Sequence, residues 1–207
     1  MEKNKKFFVT GIGTEVGKTI ASGALVRLWK AAYWKPIQSG DLKNSDSMML
    51  NILLEQNVKI YPERYKLNSA ISPHHAAYMD GLSMKIKDFN LPAEMGNLIV
   101  EGAGGMFAPV NENEFIIDLV EHFDLPVILV CSDYLGSINH SLLSYHTLQQ
   151  RGVPVEYIFL NGKFKEYNKR ILIKNRPKDS KVIEFPELEI FNLDGLDKAI
   201  EKMKIYE

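Results

Sequence analysis

The stretch Phe7-Phe8-Val9-Thr10-Gly11-Ile12-Gly13-Thr14-Glu15-Val16-Gly17-Lys18-Thr19 decides the fold. Phe7 to Thr10 reads as a short buried strand and Gly11 to Thr19 as a glycine-bracketed loop. Ile20 to Ala32 reads as a helix, with Leu25, Leu28 and Trp29 at helical spacing. A loop of this kind between a strand and a helix is the setting of a phosphate-binding loop. The amide hydrogens from about Thr14 to Thr19 should curl around a β-phosphate, helped by the unpaired N–H groups and positive dipole end of a helix starting near Lys18. Lys18 is placed to bridge the β- and γ-phosphates, and the Thr19 hydroxyl to ligate Mg2+. Gly13, Thr14, Glu15, Val16, Gly17, Lys18, Thr19 and Ile20 are thus the expected nucleotide contacts. Two details depart from the usual pattern. Ile12 stands where a glycine is normal and Gly11 comes one residue early, so the loop carries an extra residue. Glu15 puts a carboxylate beside a triphosphate, which makes sense only if it points outward, at a cationic substrate group or a ribose hydroxyl.

Working outward, Tyr33 to Pro36 reads as a second strand closed by proline. Ser45 or Asp46 can cap a helix over Ser47 to Gln56, and Ser72-Pro73 can open one running to about Met79. Asn97 to Glu101 is the best central strand, followed directly by Gly102-Ala103-Gly104-Gly105. Phe115 to Phe123 is an amphipathic helix, Pro126 to Ser132 a continuous apolar strand, and Asn139 to Gln150 a helix with Gly152 just past its end. Val155 to Leu160 is a further strand, Lys181 to Ile183 an edge strand, and Leu193 to Met203 a helix capped by Asp194. Strands alternating with helices predict an α/β fold of the P-loop NTPase type, a mostly parallel sheet with helices on both faces. No repeat or linker divides the chain, so residues 1–207 are expected to form one domain. Asn57 to Asn90 has weaker periodicity and is where substrate-binding insertions could sit.

With 207 residues, 45% of them apolar, the chain can bury one sizeable core. Twenty-five Lys and Arg against twenty-six Asp and Glu give a net charge of −1, and no basic residues interleave with aromatics, so no nucleic-acid partner is expected. No run approaches the ~20 apolar residues of a membrane span. The stretch after Met1-Glu2-Lys3-Asn4-Lys5-Lys6 is too short for a signal peptide, and Cys131 is the one cysteine, so a cytoplasmic setting is expected. Cys131, in an apolar run, reads as core, as do Phe7, Phe8, Trp29 and Trp34.

Further polar residues are candidates for chemistry. Glu101 ends the central strand, and strand carboxyl ends form the ligand crevice of parallel sheets, so Glu101 can bind Mg2+ opposite Thr19. Gly104 lets backbone approach a ligand closely. Asp46 is either a second Mg2+ ligand or a helix cap. Lys35 faces the same crevice and could neutralise a transferred phosphoryl group or an anionic adduct, with Ser39 donating to the same oxygens. His74, His75, His122, His140 and His146 form no metal set at ligand spacing.

These pieces, in order, resemble the dethiobiotin synthetase family: Phe8 to Gly11 with Thr14 to Thr19, Lys35-Pro36 with Ser39-Gly40, Asn44-Ser45-Asp46, Ser72-Pro73-His74, Val100 to Gly105, and Leu135 to His140. The extra loop residue is what that family shows. The resemblance implies an ATP- and Mg2+-dependent cyclo-ligase that carboxylates 7,8-diaminononanoate (DAPA) with CO2 and closes a ureido ring. The path runs through a carbamate and a carbamic-phosphoric anhydride. Lys18 and Lys35 would then steady charge on phosphates and carbamate, and Thr19, Asp46 and Glu101 would hold Mg2+. Thr14, Glu15 and Ser39 would line the carbamate and diamine site, and Asn161 would meet the base. It also implies a homodimer, with Leu135 to His140 near the interface and touching the partner's substrate.

Departures from the family are visible. Ile12 and Gly13 replace the common Thr and Asp, the connection into Tyr33-Trp34 is short, Gly162-Lys163 follows Asn161, and Phe185-Pro186-Glu187 matches the later base loop only loosely. Relaxed nucleotide specificity is therefore expected. Two other functions fit the same loop, a nucleotide-switched partition or positioning ATPase and another ATP-dependent amide-forming synthetase. The first usually carries a signature lysine early in the loop, where this chain has none besides Lys18.

Overall fold

The computed structural model describes residues 4–93 and 96–207, so Met1 to Lys3, weighed above as part of a possible leader, lie outside the described residues. In chain order the elements are β1 (Lys6–Gly11), α1 (Lys18–Trp29), β2 (Ala32–Trp34), β3 (Ile37–Ser39), α2 (Asp46–Leu53), β4 (Ile60–Tyr61), β5 (Tyr65–Leu67) and α3 (Pro73–Met79). They continue as β6 (Leu98–Gly105), α4 (Ile116–Phe123), β7 (Val127–Cys131), α5 (Ser137–Gln150), β8 (Val155–Asn161), α6 (Glu166–Lys174), β9 (Lys181–Phe185), α7 (Leu193–Lys202) and β10 (Lys204–Tyr206).

Eight strands form one sheet in the order β10-β9-β8-β7-β1-β6-β2-β4. Only β10 runs antiparallel to its neighbour. Parallel strands covered on both faces need no polar alternation. Accordingly every residue of β7 is buried, as is Leu98 to Ala103 of β6, against which both α1 and α4 pack. Strand β1 lies between β6 and β7, so the loop that follows it opens into the crevice at the carboxyl ends of all three. Register fixes what meets there. Val9 pairs with Glu101 across β1 and β6, and Trp34 pairs with Val100 across β2 and β6. Lys35, one residue beyond Trp34, therefore comes level with Glu101.

Several expectations are corrected. Helix α1 stops at Trp29 because Lys30 turns left-handed (φ 50°), freeing Ala32 to start β2. The second strand, expected over Tyr33 to Pro36, ends at Trp34, and beyond the proline Ile37–Ser39 pairs in parallel with β5 in a separate two-stranded sheet. Ser45, not Asp46, caps α2, its hydroxyl accepting from the Met48 amide. Asn192 rather than Asp194 caps α7, accepting from the Gly195 amide, while Asp194 pairs with Lys198. Strand β9 is not an edge, since β10 pairs with it. Helix α6 was not expected; it buries only Leu172 and so leaves little apolar periodicity to read.

Candidate active site

The extra loop residue is absorbed by the core. Ile12 is buried, and its amide donates to the Val130 carbonyl (3.1 Å), extending the sheet bonding by one residue. Beyond it the chain turns sharply, with Glu15 at φ 58° and Gly17 at φ 89°. Among the described residues, the amides of Thr14, Glu15, Val16 and Gly17 donate to no backbone acceptor, which leaves them available to an anion. Gly17 is required twice over, by its left-handed φ and by crowding, since a Cβ there would lie 1.9 Å from Asn161 Nδ2. That same Nδ2 donates to the Val16 carbonyl (3.2 Å) and ties β8 to the loop. Lys18 is buried, and its ammonium reaches back across the loop to the Gly13 carbonyl (2.9 Å). Burial pushes its pKa down to about 8, partly opposed by the charge of Glu101.

At the start of α1 five polar side chains converge, four from α1, α2, β2 and β6 and one, Lys35, from just beyond β2. Thr19 Oγ1 lies 2.9 Å from Asp46 Oδ1 and 3.1 Å from Glu101 Oε1. Lys35 Nζ lies 2.5 Å from Asp46 Oδ2 and 3.0 Å from Glu101 Oε1. The Tyr33 hydroxyl donates to Glu101 Oε2 at 3.0 Å. Burial alone would lower the Lys35 pKa, but the two carboxylates outweigh it and the pKa is raised. For Asp46 burial pulls upward, yet Lys35 and the Thr19 hydroxyl carry its pKa below the usual carboxylate range. Burial, then the Glu101 charge, push the Tyr33 hydroxyl well up, so it stays protonated and serves as a donor. Two carboxylates and a hydroxyl are hard oxygen donors, and their convergence fits a small divalent cation such as Mg2+. Because Ser45 takes the capping role, the Asp46 carboxylate is free to join this set.

A cavity of about 690 Å³ opens beside this cluster. Thr14, Glu15, Lys18, Thr19, Lys35, Ser39, Asp46, Glu101 and Gly104 all line it, so these expected site residues meet in one place. Ser39 Oγ is buried and has no hydrogen-bond partner among the described residues, a donor ready for a ligand. Ala70, Ile71, Ala108 and Pro109 add apolar surface to its lining. Ile20 also borders a second cavity of about 570 Å³, shared with Asn161, Lys163, Glu187 and Phe191. Gly13 and Val16 face a third, toward Tyr134 and His140, whose side chains bond to each other (2.8 Å).

Sequence reading missed Tyr33 and Gln38. Tyr33 reads only as the start of a strand, although its i, i+2 relation to Lys35 puts both on one side of an extended chain. Gln38 is buried; its Nε2 donates to the Gly40 carbonyl and its Oε1 accepts from the Asp46 amide, holding the start of α2 in place.

Comparison with known proteins adds independent findings. A family model described as an AAA domain matches residues 5–190. The "ATP-dependent dethiobiotin synthetase BioD" of Christiangramia forsetii is 46% identical, covering 76% of this chain and 76% of that protein. The protein of the same name from Cytophaga hutchinsonii is 43% identical, covering 83% and 84%. Among solved structures, the signal recognition particle receptor FtsY from Elizabethkingia anophelis in complex with GDP superposes with a TM-score of 0.51 at 11% identity, covering 100% of this chain and 61% of that one. At that identity the likeness speaks for the fold alone.

Proposed function

The chain belongs to the family of ATP-dependent dethiobiotin synthetases, and on that premise we propose how its own residues carry out the reaction. The activity is that of a ligase, forming dethiobiotin at the expense of ATP. In the proposed path one amine of DAPA captures CO2 as a carbamate. A carbamate oxygen attacks the γ-phosphorus, ADP leaves, and a carbamic-phosphoric anhydride results. The second amine then attacks the carbamoyl carbon, closing the ring and expelling phosphate.

The observation that carries this reading is the convergence of Thr19, Asp46, Glu101 and Lys35 beside the unpaired amides of the loop. The loop amides and Lys18 would grip the phosphates, with Gly13, Val16 and Ile20 completing the cradle. Thr19, Asp46 and Glu101 would hold Mg2+, which when bound neutralises phosphate charge. Lys35 would steady the carbamate and the migrating phosphoryl group, so that catalysis is chiefly positioning and electrostatics. Thr14, Glu15 and the unpartnered Ser39 hydroxyl would orient the amines, and the apolar part of the lining would receive the alkyl chain.

The base would occupy the cavity bordered by Asn161 and Phe191. One continuous hydrophobic cluster from β1 to α7 supports reading residues 1–207 as one domain. Fully exposed Leu135, with Leu143 and Phe107 also exposed, supports a homodimer in which Leu135 to His140 approaches the partner's substrate. Sedimentation of Leu135→Asp should then report a monomer, and an unaltered dimer would count against it. Among the described residues no helix is long and apolar enough to cross a membrane. A cytoplasmic setting accords with the buried free thiol of Cys131.

Phosphate release measured with DAPA and bicarbonate omitted in turn tests the reading. Dependence on both is expected, and undiminished hydrolysis without the diamine would instead favour a switch ATPase.

A further inference from the structure

We infer that Tyr33 is a positioning residue that holds one oxygen of Glu101 so that only the other faces the cation site. The inference rests on the Mg2+ reading proposed above and deepens it. Tyr33 is wholly buried on β2, in register with Ile99 of β6, and its side chain approaches Glu101 from the same side of the chain as Lys35. The two oxygens of the carboxylate are thereby divided. Oε2 accepts from the Tyr33 hydroxyl at 3.0 Å, while Oε1 faces Thr19 at 3.1 Å and Lys35 at 3.0 Å.

A carboxylate held in this way cannot swing to offer both oxygens to one cation. Mg2+ requires near-octahedral geometry, which one oxygen per carboxylate satisfies, whereas Ca2+ accepts two from the same group at longer range. A neutral donor behind the ligand also leaves the charge of the carboxylate available to the metal, which a second ammonium would not. Tyr33 thus tunes both affinity for the metal and discrimination against larger cations, without touching substrate.

Tyr33→Phe keeps the ring and removes only the hydroxyl. The probe is Mn2+, titrated by electron paramagnetic resonance against the full chain with ADP. Removing a partner of a metal ligand typically costs about ten- to a hundredfold in metal affinity, and a loss of that size is expected. ADP affinity in EDTA should not move, and competition by Ca2+ against Mn2+ should strengthen. Unchanged Mn2+ affinity in Tyr33→Phe, while Glu101→Gln weakens it, would overturn the inference alone. Unchanged affinity in Glu101→Gln as well would overturn the metal reading beneath it. Should Tyr33→Phe fold poorly, the infrared difference spectrum of the unaltered protein on adding Mn2+, isolated by subtracting that of Glu101→Gln, gives a second reading. A wide separation of the two carboxylate stretches, from ligation through one oxygen, is expected, and a narrow one would overturn the proposal.

Discussion

Lys35 Nζ lies 2.5 Å from Oδ2 of Asp46, joining the end of β2 to the first turn of α2. The two groups are suited to opposite partners, the ammonium to an anionic adduct and the carboxylate to a cation. A ligand that brings its own cation competes with this ammonium for Asp46. Lys35→Ala should lower turnover by roughly a hundredfold or more. ADP affinity should stay within about threefold, because the lost interaction matters most as charge develops. Folding stability should also fall, by about 3 kcal/mol, since Glu101 is left buried without its cation. Steady-state kinetics beside ADP titration checks the first pair of outcomes, and urea denaturation the last. Weakened ADP binding with unchanged turnover would show that Lys35 is misplaced here.

Lys18 carries a pH signature. Its pKa in the folded chain, about 8, lies below the ordinary 10.5. A lysine depressed in this way binds fewer protons folded than unfolded between those two values, so stability should rise with pH across that window. Below about 8 the ammonium is charged in both states and its burial is a fixed cost of up to about 3 kcal/mol. Denaturation of the nucleotide-free protein against Lys18→Met, from neutral pH to 10.5, should show the slope in the first and not in the second. Nucleotide affinity should decline above about pH 8 as the ammonium is lost, and Lys18→Ala should lose both affinity and rate.

Gly17→Ala should be costly for two separable reasons. The left-handed φ of 89° strains any side chain, and the new methyl group would displace the Asn161 amide from the loop. Strain of this kind costs about 1–3 kcal/mol. ADP binding should weaken with it, because the cradle is distorted. Asn161→Ala, which frees the space, should restore part of the binding in the double variant. Equal losses with and without that second change would show that crowding is irrelevant.

Nucleotide choice should be loose. One N–H of the Asn161 amide is already taken by the Val16 carbonyl, and the rim of the base-side cavity carries the exposed Lys163–Glu187 pair (2.8 Å). A site built to hydrogen-bond one base rejects others by orders of magnitude, whereas a surface pair discriminates weakly. Turnover with GTP and CTP is expected within about tenfold of that with ATP. A strict preference for ATP would show that other groups read the base.

The phosphate loop and the sheet core were legible because each has a local signal. Glycines bracket the turn at Gly11 and Gly17, and runs such as Val127–Cys131 are apolar throughout. From the residues alone Glu101 and Lys35 were legible as sharing one crevice, and the resemblance added Asp46 to the Mg2+ set. The contacts among the three were not legible, since strand register brings Lys35 level with Glu101 while Asp46 comes from the start of α2. Asp46 stayed ambiguous because Ser45 and Asp46 are equally good caps on paper, and only the backbone tells which one turns inward. Helix α6 and strand β10 bury little or nothing, so no hydrophobic period announces them. Tyr33 was hidden by its chemistry. An aromatic in a strand is normally packing, and its hydroxyl matters here because of a neighbour 68 positions away.

The small β3–β5 sheet stands apart from the eight-stranded one and carries Ser39 on its last strand residue. Ser39, which would meet the diamine, is therefore hung on its own platform, joined to α2 through Gln38. Ser39 thus reaches the acceptor side from a different module than Thr14 and Glu15, which come from the phosphate loop itself. Redesign aimed at another amine could vary the surroundings of Ser39 on this platform, provided that Gln38 and Asp46 are kept for the cluster at the head of α1.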